Sequence, residues 1–124
     1  MLPTNRNTLS TAAQGARGNT TKAQGTNIRN KGYRGCKLTM NLKATGAGTV
    51  TGSVSEYDES GNATKTWSTG ALSPGSGITI LEVYPALTTS GNVYNDVIGA
   101  VYNATLSFTN GATVTLDATL DMIP

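Results

Sequence analysis

Cys36-Lys37-Leu38-Thr39-Met40-Asn41-Leu42-Lys43 alternates apolar and polar side chains without a break. A period of two over eight residues is that of a β-strand with one face buried and the other in water. The same period continues downstream. Gly48 to Tyr57 alternates around Val50 and Val54, and Ala63 to Thr69 is centred on Trp67. Between them Asp58-Glu59-Ser60-Gly61-Asn62 supplies turn chemistry, so these two runs are expected to form a hairpin. The segment 72–77, Leu-Ser-Pro-Gly-Ser-Gly, reads as a loop. Ile78 to Tyr84 is β-branched and apolar enough for a strand buried on both faces, and Pro85 ends it.

Ala86 to Asn95 reads as a connection, and Val97 to Phe108 and Ala112 to Met122 as the last pair of strands. Asn110-Gly111 invites a two-residue turn, but that register would point the apolar sets of the two strands to opposite faces. A three-residue loop, Thr109-Asn110-Gly111, instead pairs Phe108 with Ala112, Leu106 with Val114, Ala104 with Leu116 and Tyr102 with Ala118. The hairpin is therefore expected to carry a type I turn with a left-handed Gly111 in a G1 bulge. Short strands, frequent turns and no long helical period give an all-β fold, an antiparallel β-sandwich or jelly-roll-like domain.

Outward from this core the chain changes character. Residues 1–32 contain Met1, Leu2, Leu9 and Ile28 as their only large apolar side chains, whereas 33–124 contain 29. Only the second part can bury a core, so the expected organisation is an extended basic N-terminal arm over 1–32 and a β-sandwich domain over 33–124. A Thr-, Asn-, Gln- and Gly-rich arm offsets little of its ordering entropy by burial and is expected to take shape on a partner rather than on its own domain. Fully extended, at roughly 3.3 Å per residue, it would reach about 100 Å. Thr8 or Ser10 is a possible cap for a short helix through 11–14, limited by Gly15 and Gly18.

Charge divides at nearly the same place. Arg6, Arg17, Lys22, Arg29, Lys31, Arg34, Lys37 and Lys43 make residues 1–43 +8 with no carboxylate; residues 44–124 are −6, with Lys65 as their one base. The formal net charge of +2 hides this separation. Charges of one sign gathered in a polar segment point to a contact outside that segment. An acidic protein surface fits better than nucleic acid: the charges are widely spaced and no aromatic side chain precedes Tyr33. Head-to-tail contact between identical subunits is one geometry that satisfies both halves.

Chemistry is scarce. There is no histidine and only one cysteine, Cys36, so Ser-His-Asp and Cys-His arrangements, imidazole metal sites, zinc knuckles and iron–sulfur centres all lack their ligands. Cys36 falls in phase with Leu38 and Met40 and is expected to be a buried thiol. The glycine runs do not form a phosphate-binding loop. Glu56, Asp58 and Glu59 are the nearest approach to a cation site, and acids at a hairpin tip are common simply because they turn and solubilise. The expectation is a non-enzyme without a cofactor. The start of the chain lacks the apolar run of a signal peptide and no segment approaches a membrane span, so synthesis in the cytoplasm is expected.

A resemblance joins these readings. Arg34-Gly35-Cys36-Lys37-Leu38-Thr39-Met40, Gly48-Thr49-Val50-Thr51-Gly52-Ser53-Val54, Tyr57-Asp58-Glu59-Ser60-Gly61 and Thr79-Ile80-Leu81-Glu82-Val83-Tyr84-Pro85-Ala86-Leu87 follow one another in an order that resembles small structural proteins of tailed bacteriophages. Val101-Tyr102-Asn103 stands where many of those chains have a bulky Trp-Arg-Val strand. The resemblance implies a virion component, a head decoration or cement protein, with the major capsid protein or another virion protein as partner and with homo-oligomers. The expected contact residues are Arg6, Arg17, Lys22, Arg29 and Lys31, with Leu2, Leu9 and Ile28 as apolar anchors. A tail or head-fibre component and a carbohydrate-binding module are the alternatives, the latter needing an exposed aromatic near Trp67 or Tyr84. Among Val93, Tyr94, Val97 and Ile98, some are expected to face another subunit.

Overall fold

A computed structural model describes residues 5–10, 13–14, 20–22, 28–43, 46–109, 112 and 114–124, with side chains from Arg29 onward. The described residues form two sheets packed face to face. The first runs in the order β1 (Asn5–Ser10), β11 (Val114–Ile123), β5 (Gly35–Leu42), β8 (Gly77–Val83), β9 (Val93–Tyr94), with β2 (Ala13–Gln14) also on β11. The second runs β3 (Thr20–Lys22), β10 (Val101–Phe108), β6 (Val50–Tyr57), β7 (Ala63–Leu72), with β4 (Ile28–Arg29) also on β10. Every pairing is antiparallel except β8 with β9. This is a β-sandwich, as the alternation predicts.

Alternation also sets what is buried. Cys36, Leu38, Met40 and Leu42 face inward from β5, and Leu116, Ala118, Leu120 and Met122 from the neighbouring β11. Leu120, Leu38 and Leu81 occupy one cross-strand row at the centre of the first sheet. Val50, Val54, Trp67, Tyr102, Ala104, Leu106 and Phe108 close the interior from the second sheet. Each fully buried Leu contributes about 2 kcal/mol of transfer free energy, so this shared interior is the main source of stability. Burial pushes the Cys36 thiol up to about 12, which makes it an inert core side chain at neutral pH.

The hairpin over 58–62 forms as expected. The Asp58 side chain accepts hydrogen bonds from the N–H groups of Ser60 and Asn62, both at 2.9 Å, and the Gly61 N–H donates to the Asp58 carbonyl at 3.1 Å. These bonds, that from the Asn62 main chain first, hold the Asp58 carboxyl below the usual range.

Four expectations are corrected. The pair formed by the last two strands is not a hairpin: β10 pairs with β6, placing Leu106 opposite Gly52, whereas β11 pairs with β5, placing Leu116 opposite Leu42. The two strands thus belong to different sheets. Two inward-facing strands bury their apolar sets equally well side by side or across the sandwich, so parity alone could not choose. The left-handed Gly111 lies outside the described residues.

Second, β8 is buried on one face only, with Ile78 67% and Ile80 37% exposed while Leu81 and Val83 are buried. An antiparallel sheet in a two-layer fold keeps a wet side however apolar its residues. Third, Ala13–Gln14, the described part of the possible short helix over 11–14, is a strand on β11, and its candidate caps Thr8 and Ser10 lie in the strand β1; residues 11–12 lie outside the described residues. Fourth, the described parts of the arm lie on their own domain rather than apart from it. Edge strands need main-chain partners, and a polar segment supplies N–H and C=O groups as well as an apolar one does.

Candidate assembly interface

Without the arm, β10 and β11 would be the exposed edges of the two sheets on the same side of the sandwich. The arm covers both. Asn5 pairs with Met122 and the chain descends to Gln14 opposite Val114, with a register shift between Thr8 and Ser10. It then follows β10, from Thr20 opposite Ser107 to Arg29 opposite Val101.

Asn30 fixes the junction between arm and domain. Its Nδ2 donates to the carbonyls of Tyr33 (2.8 Å), Gly99 (3.0 Å) and Ile98 (3.3 Å), and its Oδ1 accepts from the N–H groups of Tyr33 (2.8 Å) and Gly32 (3.1 Å). Its own N–H donates to the Ala100 carbonyl at 2.7 Å. Four residues on, the Arg34 N–H donates to the Ile123 carbonyl at 2.9 Å while its carbonyl accepts from Ile98 at 3.0 Å, so the crossing is tied to the end of β11 and to the segment that leads into β10. In the sequence Asn30 is one Asn among many in the arm and carries no local signal of its long-range partners. Asn30→Ala is expected to cost about 2 kcal/mol, read as a lower urea midpoint. Asn30→Asp should cost at least as much, since a carboxylate would replace the donor facing those carbonyls.

The expected contact residues spread over two outer faces rather than converging. Arg6 stands in the cross-strand row of Asp121, Lys37 and Glu82 on the first sheet, a row of alternating sign. Lys22 stands in the row of Thr105, Ser53 and Ser68 on the second. Arg29 is exposed and lies 3.7 Å from the equally exposed Glu59, a surface pair worth about 0–1 kcal/mol. Lys31 is exposed. Ile28 pairs with Tyr102, in the inner row of β10, and Leu9 falls within the register shift of β1. Leu2 and Arg17 lie outside the described residues.

The outer face of the second sheet is built of hydroxyls: Thr51, Ser53 and Ser55 on β6, Thr66 and Ser68 on β7, Thr105 and Ser107 on β10. Ser55 Oγ and Thr66 Oγ1 are 2.8 Å apart. Its signal was the polar half of the alternation already used to find the strands.

Elsewhere the candidate constellations dissolve. The Glu56 carboxylate sits against Gly99, Asp58 is engaged in its turn and Glu59 faces Arg29, so the three acids do not point at one centre. Among the described residues no cluster of three metal-ligating side chains occurs, and no helix is long and apolar enough to cross a membrane. Trp67 is 3% exposed, and the Arg34 guanidinium lies over the half-buried Tyr84 ring, 5.6 Å from its centroid, so neither offers a free ring for a sugar. Lys65 bonds Asp96 at 2.6 Å, which holds the Asp96 carboxyl low and the Lys65 ammonium high. Of the four residues open to a subunit contact, Ile98 is buried in the core, the Tyr94 hydroxyl donates to the Ser68 carbonyl at 3.1 Å, and Val97 remains 49% exposed.

No family model and no curated protein matches the chain. Solved structures do. A chain in the structure of infectious bursal disease virus, Gt strain, superposes with a TM-score of 0.51 at 10% identity, over 96% of this chain and 32% of that one. A chain of the Gx strain gives 0.43 at 11% identity, over 97% and 33%, and one of the T13 particle of that virus gives 0.39 at 11%, over 98% and 39%. This chain thus spans about a third of the length of those chains. At such identity the likeness to the Gt-strain chain is one of fold: the β-sandwich of this protein is an architecture that also occurs in a virus particle.

Proposed function

We propose that this protein is a non-enzymatic structural component of a virion, a decoration or cement protein that adds to the head shell through its N-terminal arm. The observation that carries the reading is the arm itself: a cationic, polar segment laid along the edges of β10 and β11, on a domain of opposite charge. Its described main-chain groups pair within its own sheets, and Arg6, Lys22, Arg29 and Lys31 are the residues that meet an acidic surface, Arg29 exchanging its weak surface pair with Glu59 for that contact. The sandwich over 33–124 is the self-folding body that holds the arm in register. Its fold is also found in the infectious bursal disease virus particle, which supports residence in a shell. The partner is the major capsid protein or another virion protein, and copies of the decoration protein associate with one another.

A cement protein gains from repetition. Weak polar contacts, each modest alone, are multiplied when identical subunits engage a symmetric lattice. The test is binding to undecorated shells by co-sedimentation. Removing residues 1–29 is expected to leave the body folded by circular dichroism and to weaken binding by at least about 100-fold. In the full chain, Arg6→Glu with Lys22→Glu and Arg29→Glu should do the same, and added salt should weaken the unaltered protein progressively. Unchanged binding by both variants would overturn the proposal.

A further inference from the structure

The first sheet is left open at its far side. β9 covers only the end of β8, where Glu82 pairs with Val93 and Val83 with Tyr94. Gly77 to Leu81 pair on one side alone, with Leu42 to Leu38 of β5. The N–H groups of Glu82 and Tyr84 donate towards the β9 side, to the carbonyls of Asn92 (2.9 Å) and Tyr94 (3.1 Å). A period of two then sends the N–H and C=O of Ile78 and Ile80 to that same side, where no described strand meets them. Their side chains are 67% and 37% exposed, two of the three exposed large apolar side chains among the described residues.

Folded proteins guard such edges with charge, proline or irregularity. The corresponding edge of the second sheet does so: β7 carries Lys65, a left-handed Gly70 and register shifts against β6. β8 has a left-handed glycine only at its first residue, Gly77; Ile78 to Leu81 carry no charge, no proline and no register shift against β5, and residues 73–81 carry no charge.

We propose that the Ile78–Ile80 edge is a strand-addition site whose occupant is the same edge of a second copy of this chain, paired antiparallel about Thr79. Parity fixes the register. Ile78 and Ile80 both present their main-chain groups outward, so Ile78 of one copy lies opposite Ile80 of the other, and each such pair exchanges both N–H···O bonds. Thr79 meets its own counterpart at the two-fold axis as a non-hydrogen-bonded pair. Each isoleucine covers the other on the outer face, twice by symmetry. The nearest charge, Glu82, lies beyond the paired stretch Gly77 to Leu81, where β9 already covers the edge, and the register keeps the two Glu82 side chains about 20 Å apart along the strands. A basic arm is a poorer occupant, since the edge offers it no carboxylate before Glu82 and the described arm strands already lie on β10 and β11. This pairing is independent of the shell-binding reading; it joins two copies through the side opposite the arm.

So short an edge makes a weak contact in dilute solution, which a covalent trap reads better than a dimer mass. In the full chain carrying Thr79→Cys, Cα atoms about 4.5 Å apart across a non-hydrogen-bonded pair suit a disulfide. The buried Cys36 does not compete. Under mild oxidation the Thr79→Cys chain is expected to form a disulfide-linked dimer roughly tenfold faster than a chain with Thr88→Cys in an exposed loop, because pairing raises the local thiol concentration. Adding Ile80→Pro removes an outward N–H that the β5 ladder does not use, and should return the rate to that of the control. If that variant does not fold, Ile78→Lys with Ile80→Lys serves the same purpose through like charge. Crosslinking no faster than the control, a rate insensitive to both edge variants, or capture of a different virion protein in place of a second copy would each overturn the proposal.

Discussion

Leu120→Ala is expected to lower the free energy of unfolding by about 3–5 kcal/mol, the range for deleting a fully buried leucine whose surroundings close only in part. Leu120 is 0% exposed, in the row with Leu38 and Leu81, and faces the second sheet across the sandwich. Two sheets held in register by their hydrogen bonds cannot collapse freely into the space left behind. For a chain of this size the loss corresponds to a fall in Tm of roughly 10–20 °C. Trp67, the only tryptophan and 3% exposed, reports unfolding by fluorescence in a urea titration. Thr119→Ala, one residue away on the outer face, should change stability by no more than about 0.5 kcal/mol. A Leu120→Ala loss below about 1 kcal/mol would mean that the interior is not packed in this way.

Gly35→Ala should be comparably severe for a different reason. A Cβ at Gly35 would collide with the main-chain carbonyl oxygen of Val83 and approach the Tyr84 Cα to 3.0 Å. Both belong to the end of β8 and its continuation, beside the pairing of Cys36 with Val83. A carbonyl in a ladder cannot rotate aside, so β5 and β8 must part or the start of β5 must fray. The expected cost is about 3 kcal/mol or more, at the upper end for an added methyl group. Gly52→Ala is the contrast. There the new methyl would meet the Met40 sulfur and, at 3.0 Å, a methyl of Leu38. Met40 has a flexible thioether that can move, so about 1 kcal/mol is expected. Equal losses at the two glycines, measured in the same titration, would contradict the distinction between a rigid and a yielding neighbour.

The two substitutions also show what kind of information each glycine carries. Gly52 sits in the inner row of the second sheet, opposite Leu106, and its missing side chain makes room for a residue of the other sheet. Nothing in the run Val50-Thr51-Gly52-Ser53-Val54 names that residue. The alternation identifies Gly52 as inward-facing, and the fit to Met40 exists only once the sheets are stacked.

By itself the sequence determined the strands, the inward faces and the scarcity of chemistry. Cys36 to Leu42, Val50 with Val54, and Leu116 to Met122 are buried where a period of two puts them, because side-chain direction in a strand is a local property of the backbone. The turn at Asp58-Asn62 was equally legible, since its hydrogen bonds close within five residues. Which strand lies beside which was decided only in three dimensions. β10 and β11 satisfy the same alternation as a hairpin or as strands of different sheets, and the choice rests on distant partners, Gly52 for Leu106 and Leu42 for Leu116. The course of the arm was hidden for a related reason: pairing at a sheet edge is made by main-chain groups that every residue carries, so no side-chain pattern in 1–29 announces it, and Asn30 becomes an anchor only when the carbonyls of Ile98 and Gly99 arrive beside it.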